Sequence, residues 1–189
     1  YNEELAKVQF LDEFENLFDA HHGSKEGIKE GIKGELKNLP TAFDYIRLGH
    51  PLSCILEWAI AKSKQLKAEN VISFSSASMP ILAILRKNLL DSRTTQIFYK
   101  NKLPKCFDGE VLKTIYGYQF DLVKIENNDA ISDFNGSNIL LTEFNEAWSL
   151  GLNSEIDFVI GIDPQFGSIV LVNGEKNAGH ISEIQHVRR

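Results

Sequence analysis

The chain is poor in residues that staple a fold or span a membrane. Its 189 residues include two cysteines, Cys54 and Cys106. Two thiols are too few for a disulfide framework or a cysteine-based zinc site, so reduced thiols in a cytoplasmic protein are the expectation. No apolar run approaches the roughly 20 residues needed to cross a bilayer. Residues 1–20 form an acidic amphipathic pattern without the apolar stretch of a signal peptide. Positive charge is also short. A formal charge of −6 argues against a nucleic-acid binder, because phosphate contact needs a basic face. Neither a membrane nor a nucleic acid is an expected partner.

What is present suits a globular domain. Hydrophobic residues make up 43% and charged residues 24% of a chain long enough to bury a core. The sequence starts without Met and stops on Arg188–Arg189 just after a helix-like segment. A piece of a longer protein is the expectation.

Apolar spacing predicts the elements. Leu5, Val8, Phe10, Leu11, Phe14, Leu17 and Phe18 recur at helical spacing over 4–20. The segment that follows, HHGSKEGIKEGIKGELKNLP, is too rich in glycine for a steady helix and reads as an arm. Its His21–His22 pair reads as solvated, since no third ligand is spaced to complete a metal site. From Pro51 the expected order is helix 51–67, strand 71–75, helix 79–90, strand 95–99, helix 109–117 and strand 119–125. Pro51 suits a first helical turn, where its missing N–H costs nothing. Three apolar runs follow at 138–144, 156–163 and 168–173, and NNDAISDFNGS (127–137) is the plausible linker. Unbroken β-branched runs indicate strands buried on both faces. Helices alternating with such strands predict an α/β domain, a three-layer sandwich around a mostly parallel sheet. The division expected is 1–44, an N-terminal helix and arm, and 45–189, the α/β domain.

Three stretches could carry chemistry. FSSASMP (74–80) follows a strand and opens a helix. Ser75, Ser76 and Ser78 with Ala77 make either a phosphate cradle or a serine cap. In IDFVIGIDPQFG (156–167), Asp163 lies where a strand ends, at the sheet edge that binds ligands in open α/β folds. It is either the partner of a cationic ring nitrogen or a metal, or a turn-forming Asp-Pro. In VNGEKNAGHISEI (172–184), Lys176 is either an imine-forming amine or a solvated turn residue. A cradle, a ring-nitrogen aspartate and an imine lysine together specify pyridoxal phosphate.

The stretch YIRLGHPLSCILEWAIA (45–61) bears on the choice. Tyr45, Arg47, Gly49, His50, Pro51, Leu56, Glu57, Ile60 and Ala61 match, without a gap, a segment of the Cys/Met-metabolism family of pyridoxal-phosphate enzymes. The chain resembles that family, which includes the cystathionine synthases and lyases. ISFSSASMPILAIL resembles its phosphate loop through Ser76, with Ala77 or Ser78 where the family has glycine. VIGIDPQFG is similar to its ring-aspartate strand, and NGEKNAGHISEI to its lysine loop. The resemblance implies the large domain of a fold-type-I enzyme of sulfur amino-acid metabolism, a lyase or transferase working by imine chemistry, with the C-terminal small domain absent. It implies that Ser76, Ala77 and Ser78 hold the cofactor phosphate, joined by Tyr45 and Arg47 from a neighbouring subunit of a homo-oligomer. Asp163 would pair with the ring nitrogen and Lys176 would carry the cofactor, with an amino acid as substrate. Asn173 and Glu175 stand where the family has Ser and Thr, and FNEAW replaces its proline–asparagine motif. These departures define an alternative, a non-catalytic relative that serves in binding or assembly.

Overall fold

The computed structural model describes residues 3–21, 51–132 and 134–188. Tyr45, Arg47 and the expected glycine-rich arm lie outside the described residues. The chain divides into two compact units, Tyr1–Trp58 and Ala59–Arg189.

In the first unit, α1 (Glu3–His21) follows the helical spacing of its apolar residues. Phe10 stacks near Phe14, with ring centroids 6.5 Å apart. Phe14 and Phe18 meet the edge of Trp58 at 5.2 and 5.4 Å. Trp58 belongs to α2 (Pro51–Lys64), whose last turns are counted with the second unit.

The second unit contains β1 (Val71–Phe74), α3 (Met79–Leu90), β2 (Thr95–Tyr99), α4 (Gly109–Thr114), β3 (Phe120–Lys124) and β4 (Ser137–Glu143). There follow α5 (Phe144–Ser149), β5 (Phe158–Asp163), β6 (Gly167–Val172) and α6 (Ala178–Arg188). The strands form one sheet in the order β1-β6-β5-β4-β2-β3. β1 to β5 run in one direction, and β6 alone opposes its neighbours. The expected α/β class with a mostly parallel sheet is the observed one.

Register explains the unbroken apolar runs. Ile72, Val170, Ile160, Leu141 and Tyr99 form one row across five strands. The next row is Val71, Leu171, Val159, Leu140 and Phe98. Side chains alternate faces along a strand, so successive rows point to opposite sides. The first row packs with Ile81, Ile84 and Ile184 of α3 and α6. The second packs with Ile60 and Ala61 of α2 and Ala147 of α5. Both faces are dry, which gives the three layers. α5 reaches the sheet closely because Gly161 has no side chain; a Cβ there would stand 2.6 Å from that of Ala147.

β6 is antiparallel because only Pro164, Gln165 and Phe166 separate it from β5, too few for the crossover a parallel neighbour needs. α4 ends at Thr114, short of the expected 117, and the chain turns at Gly117 with φ +70°. Residues 127–137, read as a linker, lie inside the second unit, where Ile131 is buried.

Candidate functional site

The sheet has two rims. At the carboxyl rim, the β1–α3 loop lies against the β5–β6 turn. Ser168 Oγ donates to the Ser76 carbonyl at 2.6 Å. Gly167 touches the Phe74 carbonyl so closely that a Cβ would lie 2.1 Å from it. Ser76 and Asp163 therefore share one rim, as a ligand site at the end of an open α/β sheet requires.

Each side chain already holds local backbone, through Ser76 Oγ and Asp163 Oδ1. Ser76 Oγ accepts from the backbone N–H of Ser78 at 3.3 Å and of Met79 at 3.2 Å, capping the start of α3. Asp163 Oδ1 accepts from the N–H of Gln165 at 2.8 Å and of Phe166 at 3.0 Å, a turn built on its own side chain. Ser78 opens α3 without a side-chain cap of its own, and Pro80 fills the first turn. Farther along the rim, Asn101 Nδ2 donates to Glu143 at 3.1 Å, and Lys100 lies 3.7 Å from Glu146.

Lys176 stands at the other rim. β6 runs back along β5 until Val172 faces Phe158. The lysine, four residues later, lies beside the beginning of β5. Its Nζ is 2.8 Å from Asp157 Oδ1. Six residues of β5 put roughly 16 Å between the strand's two ends. Asp157 is 4% exposed in its side chain and fully engaged. Its Oδ1 also accepts from Asn177 Nδ2 at 2.8 Å, and its Oδ2 from the Asn138 N–H at 2.9 Å. An ammonium in this place neutralises a buried carboxylate and holds the approach to α6.

The structure does not bring together the two residues expected on either side of pyridoxal phosphate. The ring-nitrogen partner and the imine lysine would have to meet one ring, whereas Asp163 and Lys176 occupy opposite rims. Among the described residues, no three metal-binding side chains converge, and no helix is long and apolar enough to cross a membrane.

Sequence reasoning passed over the polar core of the amino rim. Asn88, Thr95, Ser137, Asn138, Asp157, Asn177 and His180 are all buried. One signal was available: Asn88 falls on the apolar stripe Ile81, Ile84 and Leu85 of α3, where a polar residue demands a partner. Burial pushes the His180 imidazole down to about 4, helped by the nearby cations Arg93 and Lys87. The hydrogen bond from Lys87 holds Asp91 below the usual carboxylate range.

No protein-family model matches the chain, and no curated protein matches it. Among solved structures it is similar to a Listeria monocytogenes protein assigned as an L-allo-threonine aldolase, with 12% identity and a TM-score of 0.49, over 85% of this chain and 59% of that one. It is similar to MetB from Corynebacterium glutamicum, with 14% identity and a TM-score of 0.45, over 78% and 49%. Cystathionine gamma-lyase from Lactobacillus plantarum matches at 16% identity and a TM-score of 0.44, also over 78% and 49%. The chain thus spans about half to three fifths of these solved chains.

Proposed function

We propose that the chain is a non-catalytic relative of the pyridoxal-phosphate enzymes, serving as a binding or assembly protein. The observation that carries this reading is the commitment of Lys176 to the buried Asp157, a strand's length from Asp163. The use of Ser76 as a helix cap and of Asp163 as a turn former supports it. The acidic composition supports action without nucleic acid, and the protein proposed is a cytoplasmic homo-oligomer that needs no membrane.

A second reading has its own support. Ser76 and Asp163 share the carboxyl rim, and YIRLGHP retains the Tyr-x-Arg pair of the Cys/Met-metabolism family. On that reading the protein is a lyase or transferase of sulfur amino acids. Asp163 would pair with the ring nitrogen, Lys176 would carry the cofactor, and Ser76, Ala77 and Ser78 with Tyr45 and Arg47 would hold the phosphate. The cofactor, when bound, supplies an electron sink for bonds at an amino-acid α-carbon.

Titration with pyridoxal phosphate separates the two. The non-catalytic reading expects no visible imine band and no label on Lys176 after borohydride reduction and peptide mapping. A band that disappears in Lys176→Ala, with label on Lys176 in the parent, would establish the enzyme reading instead.

A further inference from the structure

The amino rim contains a buried imidazole for which the proposed function has no use. His180, on α6, is 2% exposed. Its Nε2 lies 2.8 Å from Oδ1 of Asn88 on α3. The same oxygen accepts from Ser137 Oγ, at the start of β4, at 3.2 Å. The Asn88 amide nitrogen donates to Thr95 Oγ1, at the start of β2, at 2.9 Å. An amide oxygen only accepts, so the proton of the neutral ring sits on Nε2. The ring also lies 4.9 Å from that of Phe158, centroid to centroid. Through one asparagine, this imidazole joins α6 to α3 and to two strands.

The charges around it are already occupied. On α3 and just after it stand Lys87, Asp91 and Arg93. Lys87 is tied to Asp91 at 2.6 Å, and Arg93 donates to the Gly136 carbonyl at 2.8 Å. From the sheet comes Asp157, paired with Lys176 at 2.8 Å. On α6 itself, Glu183 meets Arg86 of α3 at 3.4 Å. A second proton on the ring would add a cation to a dry space flanked by Lys87 and Arg93.

We propose that His180 is an acid-sensitive clasp: neutral, it seals α6 against α3 and the amino rim, and protonated it releases α6 while the sheet stays folded. Local opening of one element below the global unfolding limit is ordinary for a packed helix. The closed ring titrates at about 4, whereas a ring freed into water returns to its usual 6.5. Between those values the open form binds more protons, so acid favours opening. Linkage gives an increase of about fifty-fold in the open population between pH 7 and pH 4.5.

Hydrogen exchange on the full chain, corrected for the intrinsic pH dependence of amide exchange, tests this. The amides of Ala178–Arg188 are expected to lose protection by that factor as pH falls, and at every pH to be less protected than those of β4 and β5, which exchange only on global unfolding. His180→Gln keeps a donor without a titrating ring and is expected to flatten the response. Protection in α6 equal to that of β4 and β5 at every pH would overturn the proposal, as would an unchanged pH response in His180→Gln. Should that variant not fold, the His180 ring can be followed by NMR in the parent chain. A native ring that titrates at its ordinary value would equally overturn the clasp, and one that stays neutral in the closed form well below that value would support it.

Discussion

Gly167→Ala should be among the most damaging single substitutions in the second unit. Gly167 has φ +104°, a conformation that costs a residue with a side chain about 1–3 kcal/mol. The added Cβ would also lie 2.1 Å from the Phe74 carbonyl oxygen and 2.7 Å from the Ser75 carbonyl carbon. These are backbone atoms at the end of β1, so no rotamer change relieves the overlap. They are held in place by the pairing of Phe74 with Ser168 and by the Ser168–Ser76 hydrogen bond. Overpacking of this kind adds about 1–3 kcal/mol. Together the two terms give about 2–6 kcal/mol, a large part of the roughly 5–15 kcal/mol that keeps a typical domain folded. Urea unfolding followed by circular dichroism measures the difference. Gly179→Ala is the control: it lies on α6, no atom stands within 4 Å of its Cβ position, and a helical alanine should add about 0.5–1 kcal/mol. A Gly167→Ala variant within about 1 kcal/mol of the parent would refute the reasoning, because it would mean that the β1–β6 seam yields freely.

Other outcomes follow from the same geometry. Lys176→Met should cost about 1–2 kcal/mol in thermal or urea unfolding, since the exposed ammonium is only one of three donors to Asp157. Asp157→Ala should cost about 2–3 kcal/mol, because it strands the buried Asn138 N–H and takes one of the two acceptors from the Asn177 amide. Stability should fall as pH drops from about 6.5 toward 4. The depressed His180 makes the unfolded chain bind more protons in that window, and denaturant midpoints across pH should register a loss on the order of 2–3 kcal/mol. A thiol reagent should modify the exposed Cys106 in the native protein and reach the buried Cys54 only after denaturation, as mass spectrometry of each peptide would report.

Much of the second unit was legible in the sequence. The spacing over 79–90 and the β-branched and aromatic residues of 95–99 predicted α3 and β2 to the residue. The reason is local agreement: an apolar stripe and a proline in the first turn both favour one helix. The site was less legible. Asp-Pro followed by Gly between two apolar runs is a tight-turn signal, yet Asp163 also had the position of a ligand partner at a strand end. The serines of FSSASMP were open to the same two uses. Both choices depend on where backbone N–H groups point, which residue type alone does not fix. The importance of His180 and Asn88 was hidden because each sits in a helix, and only their meeting across α3 and α6 makes them partners.

By itself, the sequence determined the class of the fold. Runs such as NILL and FVIGI cannot be solvated on either face, and so they required helices on both sides of a buried sheet. Tertiary structure decided which chemistry-bearing residues share a rim. That rests on the direction of one strand: a three-residue connection turns β6 back along β5 and carries Lys176 to the rim opposite Asp163. Strand direction is a property of the pairing, set by the length of the connection and the partners available. It separates two residues that lie close together in the sequence and spends the lysine's charge on a buried aspartate.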